Sequence, residues 1–129
     1  MIAYADSSAL VKLVVAEPES PALVEALSAY EFLVSSELAV VEVTRAAVRA
    51  AGEGGATRAA VVLDTVHLLR LDRRVLDRSA RLGPVQVRSL DAIHVASALE
   101  LGSGFEFVGY DDRLLAAATA AGLPTRSPS

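Results

Sequence analysis

The chain contains no cysteine, no tryptophan and a single lysine, Lys12. The missing cysteine excludes disulfide frameworks, thiolate zinc sites and thiol nucleophiles, and makes a reducing cytoplasmic setting the natural expectation. No apolar run approaches the roughly 18 residues of a membrane span, because charges interrupt each candidate. The first residues, 1–6, carry no basic segment and read as a strand rather than a signal peptide. No phosphate-cradling glycine motif is present, so Lys12 is too isolated for a P-loop role. No serine has a convincing histidine partner. Excess positive charge is missing as well: the formal net charge is −4, which argues against a simple polyanion binder.

What is present suffices for a packed core. Apolar residues make up 53% of 129 residues, and the mean hydropathy is +0.42, outside the range of disordered chains. Neither a repeat nor an interdomain linker is visible, so 1–129 reads as one domain. Apolar runs and turn residues predict strands at 2–5, 31–35, 67–71 and 105–110. Helices are expected at 9–15 (capped by Ser7 or Ser8), 20–28 (capped by Ser20 ahead of Pro21), and from 35 or 36 to a glycine loop at 52–55, with Leu38, Val41, Arg45 and Val48 sharing a face. Further helices are expected at 56–66, from Asp72 to Gly83-Pro84, from Ser89 or Asp91 to Gly102, and from Asp111-Asp112 to Gly122. The tail, 123–129, reads as a brief edge strand or a frayed end. Strands alternating with helices predict an α/β sandwich whose sheet is mainly parallel and flanked by helices, with a functional crevice at the carboxyl ends of its strands.

Four acids stand at the edges of these elements: Asp6 after the first strand, Glu42 within a helix, Asp91 at a helix start and Asp111 after the fourth strand. Taken singly, an aspartate before a helix is usually an N-cap and a glutamate within one is usually solvated. Gathered together, four carboxylates repel one another and need a cation. Hard divalent cations take oxygen ligands, and Mg²⁺ keeps several waters while using one or two carboxylates directly. His94 follows Asp91 by three residues, a spacing that shares a helix face; it reads as a packing residue or a support for a ligand, and His67 reads as structural. From Arg70 to Arg88 there are six arginines against two acids, either a nucleic-acid rim or a solvated helix face.

Four segments carry a family resemblance. Tyr4-Ala5-Asp6-Ser7-Ser8-Ala9-Leu10-Val11, Glu42-Val43-Thr44-Arg45, Arg88-Ser89-Leu90-Asp91-Ala92-Ile93-His94 and Val108-Gly109-Tyr110-Asp111-Asp112-Arg113-Leu114 resemble, in order, the four motifs of PIN-domain ribonucleases, in particular the VapC-type toxins of toxin–antitoxin pairs. One position departs: the family commonly carries threonine or serine two residues before the fourth acid, and Gly109 stands there. The resemblance implies a PIN-like three-layer sandwich, dependence on Mg²⁺ with Mn²⁺ as substitute, endoribonuclease activity, a homodimer and a VapB-like antitoxin partner. It assigns Asp6, Glu42, Asp91 and Asp111 as catalytic residues. Asp6 and Asp91 would be metal ligands, with Glu42 and Asp111 holding water, a second ion or the nucleophile. Water would attack in line and leave a 5′-phosphate and a 3′-hydroxyl. Asp112 reads as a cap or a minor ligand, while Ser7 and Arg113 could support an acid or a substrate phosphate. Helices 7–15 and 20–29 are candidate surfaces for the second copy or the antitoxin.

Two other classes compete. A PIN nuclease outside toxin biology, in RNA processing or on DNA flaps, would carry the same motifs. A phosphoacceptor module also places acids at strand ends, but it needs a lysine late in the chain and none follows Lys12. A haloacid-type phosphatase would want an acid at position 8, where Ser8 stands.

Overall fold

A computed structural model describes all residues from Met1 to Ser129. Its elements are β1 (Ile2–Ala5), α1 (Ser7–Val14), α2 (Ser20–Leu27), β2 (Phe32–Ser36), α3 (Leu38–Leu63), β3 (His67–Leu69), α4 (Arg73–Ala80), α5 (Ser89–Leu99), β4 (Phe105–Val108), α6 (Asp112–Ala120) and β5 (Thr125–Arg126). The five strands form one sheet in the order β3-β2-β1-β4-β5. Every pairing is parallel, with Tyr4 of β1 opposite Val34 on one side and Phe107 on the other.

Parallel pairing requires a crossover between strands, and the crossovers cover both faces of the sheet. The period-2 alternation of β1 divides the core. Ala3 and Ala5 face a cluster containing Ala9, Leu10 and Val14 of α1, Leu23 of α2, and Ala39, Val43 and Ala47 of α3. Tyr4 faces the opposite way, into a cluster with Val95 and Ala98 of α5, Phe105 and Phe107 of β4, and Leu114, Ala117 and Ala118 of α6. Strand order reverses direction beside β1, the central strand, which places the topological switch point between β1 and β4.

Several helix starts differ from the sequence expectation. The cap of α1 is Asp6 rather than Ser7 or Ser8: its carboxylate accepts from the Ala9 amide at 3.0 Å. A carboxylate outcompetes a hydroxyl at the positive end of a helix. Ser20 is the first helical residue of α2, preceded by Glu19, and its hydroxyl bonds the Lys12 carbonyl instead of capping. Ser89 and Asp91 both lie inside α5, which follows Arg88.

The expected break between two helices is present but shorter than a loop at 52–55: the two halves of α3 meet at non-helical backbone at Ala51 and Gly52, and the second half runs to Leu63. Its buried face is the small-residue one, Ala39, Val43 and Ala47, while Val41 and Val48 point to solvent. The short side chains let the helix lie close on α1. The same closeness recurs past the kink, where Gly55 abuts the Ala47 backbone and a Cβ at 55 would stand 2.7 Å from the Ala47 carbonyl carbon. Helix α1 is itself largely core, so of the two helices expected to meet a partner only α2 offers an exposed apolar side chain, Val24.

Overpacking against backbone that cannot yield costs about 1–3 kcal/mol. Gly55→Ala therefore lowers unfolding stability by about 2 kcal/mol in urea titration, and an unchanged midpoint would show that α3 shifts freely at its kink.

Candidate active site

The candidate site is assembled at the carboxyl end of the sheet. Asp6 ends the central strand, Asp111 follows its neighbour β4, Asp91 lies in the first turn of α5, and Glu42 lies early in the helix that follows β2. A cleft of about 760 Å³ is lined by Glu42, Asp91, Asp111 and Asp112 together with Arg88 and Arg113. Three of the four sequence-predicted acids therefore share one wall of solvent. The fourth, Asp6, is fully buried and does not line the cleft. It is joined to it through its neighbour Ser7, whose hydroxyl donates to Glu42 at 2.7 Å.

Asp6 and Asp111 each use one oxygen on backbone. Asp6 Oδ1 accepts from the Ala9 amide and, at 2.6 Å, from the Ser8 hydroxyl. Asp111 Oδ1 accepts from the amides of Arg113 and Leu114. The N-cap reading and the functional reading are thus compatible, because a carboxylate has a second oxygen. In Asp6 that oxygen, Oδ2, is buried without any partner, an arrangement costing several kcal/mol for a charged group unless something compensates it.

Gly109 makes this possible. A Cβ there would stand 2.7 Å from Asp6 Cγ and closer still to Oδ2, so any side chain at 109 displaces the carboxylate. The hydroxyl missing at 109 is supplied from the other side: Ser8 Oγ accepts from the Tyr110 amide at 2.8 Å while donating to Asp6.

Glu42 is held differently. Its Oε1 accepts from Ser7 and from His94 Nε2, both at 2.7 Å, and His94 Nδ1 meets the Tyr4 hydroxyl at 2.9 Å. One proton arrangement satisfies this chain: Tyr4 donates to Nδ1, and Nε2–H donates to the carboxylate. His94 and Tyr4 are buried, so the relay is fixed by packing. The sequence alone marks His94 as packing or support and gives Tyr4 no role. The bond falls to His94, and the signal for Tyr4 is its position two residues before Asp6 on a strand, which puts both on one side.

The electrostatics separate the acids. For Asp6, burial pushes the carboxyl above its ordinary value, against the Ser8 and Ala9 bonds and nearby His94, with Asp111 adding repulsion. Burial also raises Asp91, followed by repulsion from Asp111. Glu42 is pushed up by burial too, but the bonds from His94 and Ser7 outweigh this and hold it below the usual carboxylate range. Four carboxylates face two guanidiniums across the cleft, a balance that repels a phosphate unless a cation intervenes. No three acids or imidazoles stand close enough to enclose a metal by themselves. Mg²⁺ takes one or two carboxylates directly and fills the rest of its shell with water. The orphaned Asp6 Oδ2 and the mutually repelled Asp91 fit such a hard cation.

The arginine segment serves the fold more than the cleft. Arg73 pairs with Asp77, and Arg74 and Arg78 both pair with Glu100 at the end of α5. Within 70–88, only Arg88 lines the cleft. The expected rim thus contracts to Arg88 and Arg113, neither of which is in an ion pair.

Comparison with known proteins agrees with this architecture. The family model described as PIN domain matches residues 3–120. The ribonuclease VapC46 of Mycobacterium tuberculosis is 45% identical over 127 residues, covering 98% of this chain and 97% of that one. The ribonuclease VapC47 of the same species is 38% identical, covering 97% and 96%. Among solved structures, VapBC2 of Rickettsia felis bound to a DNA fragment from its promoter superposes with a TM-score of 0.74 over 100% of both chains at 12% identity, a likeness of fold.

A raised Asp91 means that the metal-free fold binds its proton more tightly than the unfolded chain does. Stability then falls as pH rises through the window above the ordinary carboxylate value. Asp91→Asn removes that penalty. Its melting temperature exceeds that of the unsubstituted protein at pH 8, and the gap closes as pH falls to about 4. A gap of the opposite sign at pH 8, or one independent of pH, would contradict the repulsion.

Proposed function

This chain belongs to the PIN domain family, and from that premise we propose that it is a metal-dependent endoribonuclease acting as the toxin of a toxin–antitoxin pair. The observation that carries the reading is the convergence of Glu42, Asp91 and Asp111 with Arg88 and Arg113 on one cleft, above the buried Asp6. The kinship to curated ribonucleases over nearly the whole chain supports it. No helix is long and apolar enough to cross a membrane.

In this reading Asp6, through Oδ2, and Asp91 hold a divalent cation, Mg²⁺ with Mn²⁺ as substitute. When bound, such a cation polarises the phosphoryl oxygens and makes water a better nucleophile near neutral pH. Glu42, fixed by His94 and Ser7 and kept ionised, accepts a hydrogen bond from the attacking water and aims it at phosphorus. Asp111 has one oxygen committed to its helix and one free to orient the same water or a ligand of the cation. Arg88 and Arg113 hold the non-bridging oxygens of the phosphodiester, the geometry to which a guanidinium fork is suited. Water attacks phosphorus, the bond to the 3′-oxygen breaks, and that oxygen takes up a proton, leaving a 3′-hydroxyl and a 5′-phosphate. His94 acts through Glu42 and is a positioning residue.

The VapB-like antitoxin and a second copy of the chain are the proposed partners. The likeness of fold to a solved toxin–antitoxin complex from Klebsiella pneumoniae supports the first.

Purified protein incubated with total bacterial RNA gives discrete fragments in Mg²⁺ or Mn²⁺ and none in EDTA, and Asp91→Asn loses at least about 100-fold in rate, the lower bound for removing a group that acts on the reacting centre. Cutting that persists in EDTA, or in Asp91→Asn, would refute the metal-dependent reading. Binding to a non-cleaved single strand is salt-dependent with a slope near −0.7 per phosphate contact. The Arg88→Ala/Arg113→Ala double variant flattens that slope by about 1.4, whereas Arg73→Ala/Arg74→Ala leaves it unchanged. The reverse pattern would return the binding surface to α4.

A further inference from the structure

Beside the acid cleft lies a second, smaller cavity of about 170 Å³, between α6 and the segment that leads into α5. It shares Asp91 and Arg113 with the cleft, so the two spaces adjoin through those side chains. Its character is otherwise different. Pro84 and Val87 form one side, alanines of α6 including Ala116 and Ala120 form the other, and Gln86 is the only uncharged polar side chain on its wall. The volume lies below the roughly 300–1,000 Å³ of pockets for drug-sized ligands, which suits one planar ring system and excludes a whole nucleotide.

We propose that this slot is a nucleobase subsite, taking one unpaired base next to the phosphodiester held in the cleft. The assignment rests on the ribonuclease reading above and deepens it from RNA in general to a strand read at one base. Three features support a base over an apolar protein side chain. A nucleotide joins a flat apolar ring to a phosphate, and here a narrow apolar slot adjoins a cleft with two unpaired guanidiniums. Arg113 stands at the junction, where its planar guanidinium stacks on a base while remaining within reach of the backbone, a common mode of single-strand recognition. Gln86 offers one donor group and one acceptor, the complement of a base edge. Specificity would then reside in the segment 84–87 and in α6, apart from the acids that carry the chemistry.

The test uses isotopically labelled full-length protein in saturating Mg²⁺, observed by NMR, with the four nucleoside 5′-monophosphates, which contain no phosphodiester to cut, and with inorganic phosphate as probes. Nucleotides shift the amides of 84–87 and 116–120 with one base preferred, and inorganic phosphate shifts only those around Arg88 and Arg113. Ala120→Leu, a substitution at an exposed helical position, abolishes the slot response and leaves the phosphate response intact. On a randomised RNA, the same variant lowers discrimination at one position beside the cut about tenfold.

Nucleotide shifts indistinguishable from those of inorganic phosphate would overturn the subsite. A slot that answers N-acetyl-leucinamide and no nucleotide would overturn it in favour of protein docking. A wild-type protein that shows the slot response but cuts no RNA would retire the ribonuclease reading while leaving the nucleobase subsite standing, so the two claims fail separately.

Discussion

The arrangement depends on one buried carboxylate. Asp6 leaves the central strand at the switch point of the sheet, begins α1 by accepting the Ala9 amide, and meets the exit of β4 at Gly109. These three demands converge because a parallel sheet brings neighbouring strand ends side by side and sends a helix from each. Once the chain is committed there, the chemistry follows from charge. One oxygen of Asp6 is satisfied by Ser8 and backbone, and the other is buried with nothing to meet it. Asp91 and Asp111 repel one another nearby. A fold that keeps such groups forgoes stability in the metal-free state, the usual compromise at a binding site.

Within this cluster the acids are not equivalent. Asp6 and Asp91 are displaced upward by burial and repulsion, the behaviour of groups suited to a cation. Glu42 is displaced downward, because Tyr4, His94 and Ser7 form a chain of hydrogen bonds that ends on its Oε1. One environment favours capture of a positive charge, and the other favours a fixed acceptor that holds its charge more readily than an ordinary carboxylate. Tyr4 reaches the relay from the α5 side and Ser7 reaches it from the start of α1, while Ser8 serves Asp6.

Much of this was legible in the sequence. Strand placement followed from short apolar runs bounded by turn residues, and the four acids stood where the motifs of the PIN family would put them. Less legible were features set by geometry between distant segments. The cap of α1 reads equally well as Asp6, Ser7 or Ser8 until the Ala9 amide is located. The α3 break is tighter than a loop because Gly52 takes a left-handed backbone, and the residues after it pack back so that Gly55 meets the Ala47 backbone. The small face of α3 is buried because Ala47 permits close approach, and a hydrophobicity pattern alone favours the valines. The arginines of α4 lost their role at the cleft because Glu100, far along the chain, pairs with Arg74 and Arg78. Gly109 looked like a missing hydroxyl, but it gives Asp6 the room it occupies.

The central claim is that Asp6 and Asp91 await a divalent cation, and calorimetric titration tests it without reference to turnover. Mg²⁺ or Mn²⁺ is titrated into the protein and into Asp6→Asn near pH 6, in two buffers of different ionisation enthalpy. The account predicts binding to the unsubstituted protein with release of protons, since carboxyls held above their ordinary pKa must be deprotonated to bind. It predicts loss of that binding in Asp6→Asn. Equal affinity in the two proteins, or no binding to either, would contradict it.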